Sequence, residues 1–156
     1  MLCIAYIINR MLICLSIINS KNGIMVGRMK GIELIFLVVG AVAGAFLRYK
    51  IVSSPMLLGS LPLNVLFVNI IGSFILGVFS IVSVSWNLDA KYSILVAVGF
   101  CGSLTTMSSF ALETSNLLDN RLFYTATINI IANVLLSLGF LIGGMALATI
   151  IILRGG

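Results

Sequence analysis

Histidine is absent from this 156-residue sequence, and charged side chains are scarce, with 9 Lys or Arg against 4 Asp or Glu. The lack of histidine argues against a zinc site, a haem ligand set and a histidine-based catalytic triad. The 3 cysteines show no CxxC spacing and add no metal-binding pattern. With no buried acid pair and no cofactor motif either, the sequence predicts a protein that is not an enzyme.

The low charge content also excludes most classes of soluble protein. A soluble domain carries about 25% charged residues, whereas this chain has 8% and is 61% hydrophobic. Such a chain cannot cover its surface with polar groups, so the sequence predicts a multi-pass protein of the cell membrane, surrounded by lipid. The net charge of +5 comes from scattered single cations. These indicate membrane topology, and no nucleic-acid partner is predicted.

Four segments are long and apolar enough to cross a bilayer core of about 30 Å as helices. They span residues 34–52, 62–84, 92–117 and 122–153, with short polar turns at 87–89 and 119–121. Pro62 is expected in the first turn of the second helix, where a missing N–H costs least. The fourth segment is longer than a perpendicular span needs and should tilt or project beyond the lipid. The fold class predicted is an all-α membrane protein, with one four-helix transmembrane domain over residues 29–156.

Residues 1–28 are expected to be an N-terminal extension upstream of the true start. The apolar stretch 2–18 has Arg10 at its centre, which costs about 2.5 to 3.5 kcal/mol in lipid. Met25 and Met29 each precede a basic residue and then the first convincing span, so translation is predicted to begin at one of them. A fifth, poor span and a signal sequence remain alternatives. The signal sequence is the weaker one, because no small-residue cleavage site follows.

The cations near the ends of the spans are almost equally divided between the two sides. If Met25 is the start, the side with the termini carries four and the other side carries three: Arg28, Lys30, Lys91 and Arg154, against Arg48, Lys50 and Arg121. So small a difference gives the positive-inside rule little to act on. Such a chain could insert both ways up, and two opposed copies could form an antiparallel dimer. The alternative is a single orientation fixed by other features.

Polar residues inside the spans follow helical spacing, in one stripe on the second span and one on the fourth. The stripes are Asn69, Ser73, Gly77 and Ser80, and Thr125, Asn129, Asn133 and Ser137. Gly40 and Gly44, spaced as GxxxG, are expected to allow close helix packing. The three asparagines are predicted to be functional. The reason is that packing alone seldom satisfies the two donors and two acceptors of a carboxamide.

The third span contains a stretch that is poorly suited to a helix, residues 99–110. It holds two glycines and five hydroxyl residues within twelve positions, and both residue types weaken a helix. A broken helix is predicted. Irregular backbone at membrane depth frees carbonyl oxygens, which are candidate ligands for a hard cation such as Na⁺.

Three blocks of the sequence resemble the Fluc fluoride channels, also called the CrcB family. They are Gly-Ala-Val-Ala-Gly-Ala-Phe-Leu-Arg-Tyr at 40–49, Asn-Ile-Ile-Gly-Ser-Phe at 69–74, and Gly-Phe-Cys-Gly-Ser-Leu-Thr-Thr-Met-Ser-Ser-Phe-Ala-Leu-Glu at 99–113. The resemblance implies an antiparallel, dual-topology homodimer with two pores that export fluoride passively and so reduce its toxicity. It also implies a structural Na⁺ at the dimer centre, held by the backbone carbonyls of Gly102 and Thr105.

The resemblance also assigns roles to single residues. Asn69 and Phe110 would line the fluoride path, with hydroxyls from Thr106 and Ser109 beside them. Arg48 and Glu113 would have structural or entrance roles. The remaining counterparts are Asn129, Asn133 and Ser137, which would continue the polar path on the fourth span, and the structural glycines Gly40, Gly44 and Gly72. Met107 stands where the family usually has its first pore phenylalanine, and it is placed in the path by position.

Two other functions are weighed against a fluoride channel. A proton-coupled exporter of organic cations, of the small multidrug-resistance type, needs an acidic residue deep in the first span. Here Glu33 lies at the membrane edge and the middle of that span is glycine and alanine. A non-conducting partner subunit is the other alternative, and its polar stripes would serve packing alone.

Overall fold

The computed structural model describes residues 31–54, 57–58 and 61–155. Four of its helices are long and apolar enough to cross a membrane: Gly31–Val52, Asn64–Ser85, Ala90–Asp119 and Phe123–Arg154. By length and composition, these agree with the four predicted spans within a few residues. The mainly helical, four-span class is therefore confirmed. The predictions made for residues 1–28 lie outside the described residues.

The first two spans are joined by a short hairpin. Helix α1 covers Gly31–Val52, strands β1 and β2 cover Leu57–Leu58 and Leu61–Pro62, and helix α2 covers Asn64–Ser85. Pro62 pairs with Leu57 in the antiparallel ladder, so its predicted place in the first turn of α2 was wrong. Proline has no N–H to contribute to a ladder, and a two-residue edge strand is one of the few strand positions that tolerate it.

Asn64, the first residue of α2, fastens this helix to the end of α1. Its Nδ2 donates to Ile51 O at 2.8 Å and to Val52 O at 3.4 Å, and also to Ser54 O. The last carbonyls of a helix have no partner within it, and the buried Asn64 amide supplies one. The contact fixes where α1 ends relative to the start of α2.

The third span consists of several consecutive pieces. They are α3 at Ala90–Ser93, a wider π-helical segment at Ile94–Cys101, α4 at Gly102–Leu104 and α5 at Met107–Asp119. Thr105 and Thr106, between α4 and α5, have extended backbone angles, with φ −72° and ψ 152° and with φ −149° and ψ 114°. The regular i to i−4 hydrogen-bond pattern is therefore interrupted inside the stretch 99–110.

Short turns connect the later spans, and helix α6 at Phe123–Gly155 completes the fold. Asn87, in the turn after α2, has φ 46°, and Arg121, in the turn before α6, has φ 60°. Both turns coincide with the predicted polar ones. Asp89 caps α3 by accepting a hydrogen bond from the Lys91 N–H at 3.3 Å.

Glycines allow α1 to pack directly against the third span. A Cβ at Gly40 would collide with Leu95 O, and one at Gly44 would collide with Phe100 O. Both glycines are buried. The close approach expected from their GxxxG spacing therefore occurs within one chain, between α1 and the π-helical segment.

A second glycine contact joins α2 to α6. A Cβ on Gly77 would collide with Leu141 O, and one on Gly144 would come against Phe74 O and Val78 N. A small buried core lies beside this crossing, formed by Ile81 with Met145 and Ala148. The described part of the chain is thus built from two closely packed pairs, α1 with the third span and α2 with α6.

Candidate functional site

A cavity of about 360 Å³ lies between α2, the third span and α6. Ten of the residues singled out in the sequence line it: Asn69, Gly72, Ser73, Gly102, Thr105, Thr106, Met107, Phe110, Asn133 and Ser137. The described residues around it include no acid. The cavity therefore combines amide, hydroxyl and backbone polar groups with apolar walls, between helices long and apolar enough to cross a membrane.

Asn69 on α2 lies against the interruption of the third span. The Thr106 N–H donates to Asn69 Oδ1 at 2.9 Å, and Asn69 Nδ2 reaches Thr106 O at 3.5 Å. The same Nδ2 donates to Asn133 Oδ1 at 3.0 Å. Through this one side chain, α2 is hydrogen-bonded to both the third span and α6.

The hydrogen bonds continue along α6 and return to α5. Asn133 Nδ2 donates to the side-chain and backbone oxygens of Asn129, at 3.0 and 3.1 Å. Asn129 Nδ2 donates to Thr114 Oγ1 at 3.1 Å, and Thr114 Oγ1 donates to Phe110 O at 2.8 Å. The two polar stripes thus meet at Asn69 and Asn133. We call this hydrogen-bonded series the amide chain. Its members are, in order, Thr106, Asn69, Asn133, Asn129, Thr114 and Phe110.

Thr106 begins α5 as its N-cap. Its Oγ1 accepts a hydrogen bond from the Ser109 N–H at 3.2 Å, a contact that satisfies one of the unpaired donors at a helix start. The hydroxyls of Ser108 and Ser109 lie 3.2 and 3.1 Å from the same oxygen. Ser109 therefore supports Thr106, and its hydroxyl is held beside the cavity lining rather than within it.

Gly102 O and Thr105 O are among the carbonyls that the interruption leaves without their helical donors. In a continuous helix the Thr106 N–H would bond Gly102 O and the Ser109 N–H would bond Thr105 O. Here the first donates to Asn69 Oδ1 and the second to Thr106 Oγ1. These are the two carbonyls that the family resemblance assigned to Na⁺, and both residues line the cavity.

Met107 and Phe110, at the start of α5, differ strongly in how far their side chains are exposed. Met107 is 73% exposed, whereas Phe110 is 8% exposed. Both line the cavity, so Met107 lies on its open side and Phe110 lies deeper. Gly72 makes room for this part of the third span, because a Cβ there would collide with the Thr105 methyl group.

Several predicted residues lie away from the cavity lining. Asn129 is only 1% exposed and is enclosed between α5 and α6. Arg48 lies on the last turns of α1, and Glu113 lies on α5 with its Oε2 buried and without a hydrogen-bond partner among the described residues. Thr114 was not singled out from the sequence. Its four-residue spacing from Phe110, which places both residues on one face of a helix, is the signal in the sequence that pointed towards it.

Comparison with known proteins identifies the family. The family model described as CrcB-like protein, Camphor Resistance (CrcB), matches residues 35–145. This range includes all three sequence blocks and every residue of the amide chain. The resemblance inferred from those blocks is therefore confirmed.

Relatives of known name match over most of their length. A Nitrosopumilus maritimus protein named fluoride-specific ion channel FluC is 61% identical over 124 residues, which is 80% of this chain and 98% of the relative. Proteins of the same name from Methanocaldococcus jannaschii and Pyrococcus abyssi are 41% and 35% identical, over 65% and 73% of this chain and 82% and 94% of the relatives. Four candidate spans and these matches together identify the chain as a multi-pass membrane protein that belongs to the CrcB family.

Proposed function

We propose that this protein is a fluoride-specific ion channel that lets fluoride leave the cytoplasm passively. The observation that carries the proposal is the cavity that brings Asn69, Thr106 and Phe110 together with Asn133, and whose lining among the described residues contains no acid. The names of the relatives from Nitrosopumilus, Methanocaldococcus and Pyrococcus support the same ion. A carboxylate in the path would repel an anion, so a lining without acids suits the passage of a negatively charged ion.

Fluoride is small and strongly hydrated, and the path must replace its water with other donors. Amide N–H groups, hydroxyls and the electropositive edge of an aromatic ring can all do so. Asn69 donates to Asn133 Oδ1 and Thr106 O in the structure. A passing fluoride would replace one of these oxygens as the acceptor of an Asn69 N–H. Since the amide carries no charge, the ion is bound weakly enough to leave again.

The conducting form in this proposal is an antiparallel homodimer of two oppositely inserted copies, with two pores along the interface. The nearly equal cation counts on the two sides support dual insertion. Met107 is a large apolar side chain that is 73% exposed beside the polar cavity. A second copy placed over the cavity would cover Met107 and close the open side.

A structural Na⁺ at the dimer centre completes the proposal. Gly102 O and Thr105 O have each lost the donor that a continuous helix would supply, and carbonyl oxygen is the ligand type that a hard monovalent cation takes. The interruption of the third span is thus functional in this account. When bound, the Na⁺ supplies a fixed positive charge near the anion path.

The alternative functions have less support. Glu33 lies in the first turn of α1, far from the middle of that helix, so no acid stands where a proton-coupled cation exporter needs one. A non-conducting partner subunit would not need the amides and hydroxyls of three spans around one cavity. The relatives named above carry the name of an ion channel, which favours neither alternative.

Ion flux through the purified protein tests the proposed function directly. Liposomes loaded with potassium fluoride and containing the protein are treated with valinomycin, and released fluoride is followed with a selective electrode. We expect rapid fluoride release, and no chloride release from matched liposomes loaded with potassium chloride. Absence of fluoride release, or equal release of both ions, would contradict the proposal.

A further inference from the structure

We infer that Asn129 and Thr114, which stand outside the cavity lining, are positioning residues for the anion path because they help to hold Asn133 Oδ1 against the Asn69 amide. The inference deepens the proposed function and rests on it. Its basis is the amide chain, which starts at the Thr106 N–H and ends at Phe110 O. Both ends belong to the first turns of α5, and the chain passes through α2 and α6 between them.

Backbone groups at the two ends give the amide chain a single direction. The Thr106 N–H can only donate, so Asn69 must present Oδ1 to it and keep Nδ2 for Asn133 Oδ1. At the other end Phe110 O can only accept. The Thr114 hydroxyl therefore donates to Phe110 O and accepts from Asn129 Nδ2.

The middle of the chain transmits this direction. Asn129 presents Oδ1 to Asn133 because its Nδ2 is used by Thr114. Asn133 in turn presents Nδ2 to Asn129, which leaves Asn133 Oδ1 free to accept from Asn69. If the Thr114 hydroxyl is lost, Asn129 loses its acceptor and its carboxamide can turn over. Asn133 Nδ2 then keeps only the Asn129 backbone oxygen as an acceptor, so Asn133 Oδ1 is held less firmly against Asn69.

Burial makes this transmission effective. Asn129 and Asn133 are 1% and 5% exposed, so water does not readily replace a missing partner, and an unmade hydrogen bond is costly there. The residue that meets the anion, Asn69, thus depends on a hydroxyl that lies two side chains away. Thr114 and Asn129 act through Asn133, which distinguishes them from residues that touch the ion.

The experiment compares Thr114→Val with Thr149→Val, two isosteric losses of a hydroxyl. Thr149 is a matched control because it is also buried and also donates to the carbonyl four residues earlier, Met145 O at 2.9 Å. Only Thr114 accepts from Asn129. We expect Thr114→Val to slow fluoride release about fivefold, the effect of one hydrogen bond, while Thr149→Val and Thr114→Ser keep the wild-type rate. Equal rates in Thr114→Val and Thr149→Val would overturn the inference.

A second measurement does not depend on transport. The side-chain ¹⁵N–¹H resonances of Asn69 are assigned by their loss in Asn69→Asp and then compared between variants. We expect them to move in Thr114→Val and in Asn129→Leu, and to stay in place in Thr149→Val. Unchanged Asn69 resonances in both of the first two variants would refute the inference even if the wild type conducts. A wild type without fluoride release would refute the proposed function, and the resonances would still decide the coupling.

Discussion

Asn69 and Thr106 are bonded twice, with the Thr106 N–H 2.9 Å from Asn69 Oδ1 and Asn69 Nδ2 3.5 Å from Thr106 O. A side-chain amide here takes the place of a backbone peptide group. It supplies partners for the N–H and the carbonyl of Thr106, at an interruption within a membrane span where an unpaired polar group costs several kcal/mol. Structure and proposed transport therefore use the same carboxamide.

Replacing Asn69 by Asp should abolish fluoride release. The carboxylate keeps an oxygen for the Thr106 N–H but loses the donor to Asn133 Oδ1, and its charge repels fluoride. Asn116→Asp is the control, because Asn116 lies on the exposed surface of α5 away from the cavity. Size-exclusion chromatography checks that the assembly is intact. Normal release from Asn69→Asp would remove Asn69 from the path.

Met107→Phe should keep or raise fluoride release, whereas Phe110→Ile should reduce it severely. Phe110 is the aromatic side chain that lines the cavity among the described residues, and isoleucine removes its ring edge. Met107 is flexible and polarizable, so it can line the path without blocking it. Both variants are measured in the liposome assay. If the wild type is silent and Met107→Phe restores release, the chain as it stands is a non-conducting copy.

The Asn120→Cys variant, with no other cysteine in the chain, should be labelled from outside the cell in about half of the copies, because dual insertion places residue 120 on either side of the membrane. The variant is made with Cys3, Cys14 and Cys101 replaced by Ser, and intact cells receive a membrane-impermeant maleimide. Asn120 is exposed and uncharged, so the change leaves the cation balance intact. A control that retains only Cys101, which is buried, should not react. Complete labelling from one side would contradict dual topology.

Na⁺ should stabilise the assembled protein more than K⁺ does at equal ionic strength. An ion bound only by the folded state adds about 2.7 kcal/mol when its concentration is 100 times its Kd. Thermal unfolding in detergent measures the difference. Gly102→Ala should abolish it, since a methyl group fits within the chain there but would crowd the proposed site. Gly139→Ala, with no neighbouring atom within 4 Å, is the control. Equal stabilisation by both ions would exclude the Na⁺ site.

Adjacent glycines on α6 should respond oppositely to alanine. Gly144→Ala should lower the free energy of unfolding by about 1 to 3 kcal/mol, because its Cβ would collide with Phe74 O. Gly143→Ala meets no atom within 4 Å and should be neutral or raise stability by up to about 1 kcal/mol. Denaturant titration of the two purified variants provides the comparison. Equal effects would show that Gly144 does not lie close enough to Phe74 O for a methyl group to collide with it.

Hydropathy and turn residues were sufficient to predict the four spans, because lipid requires long apolar helices separated by short polar connections. The same patterns could not place Pro62, whose strand depends on its pairing with Leu57. Nor could helical spacing show that Asn129 is enclosed while Asn133 reaches the cavity, since both lie on one stripe. That difference comes from the way α5 packs over α6, and Thr114 was missed for the same reason.

The pairing of the helices sets the order in which the fold can be completed during synthesis. The first span packs mainly on the third, and the second packs mainly on the fourth. When α2 has left the ribosome, Leu141 and Met145, the residues that pack against Gly77, have not yet been synthesised. A nascent chain therefore has no finished helix pair until its third span emerges. It gains the second pair only with α6, so truncation there would leave the contacts between α2 and α6 unmade.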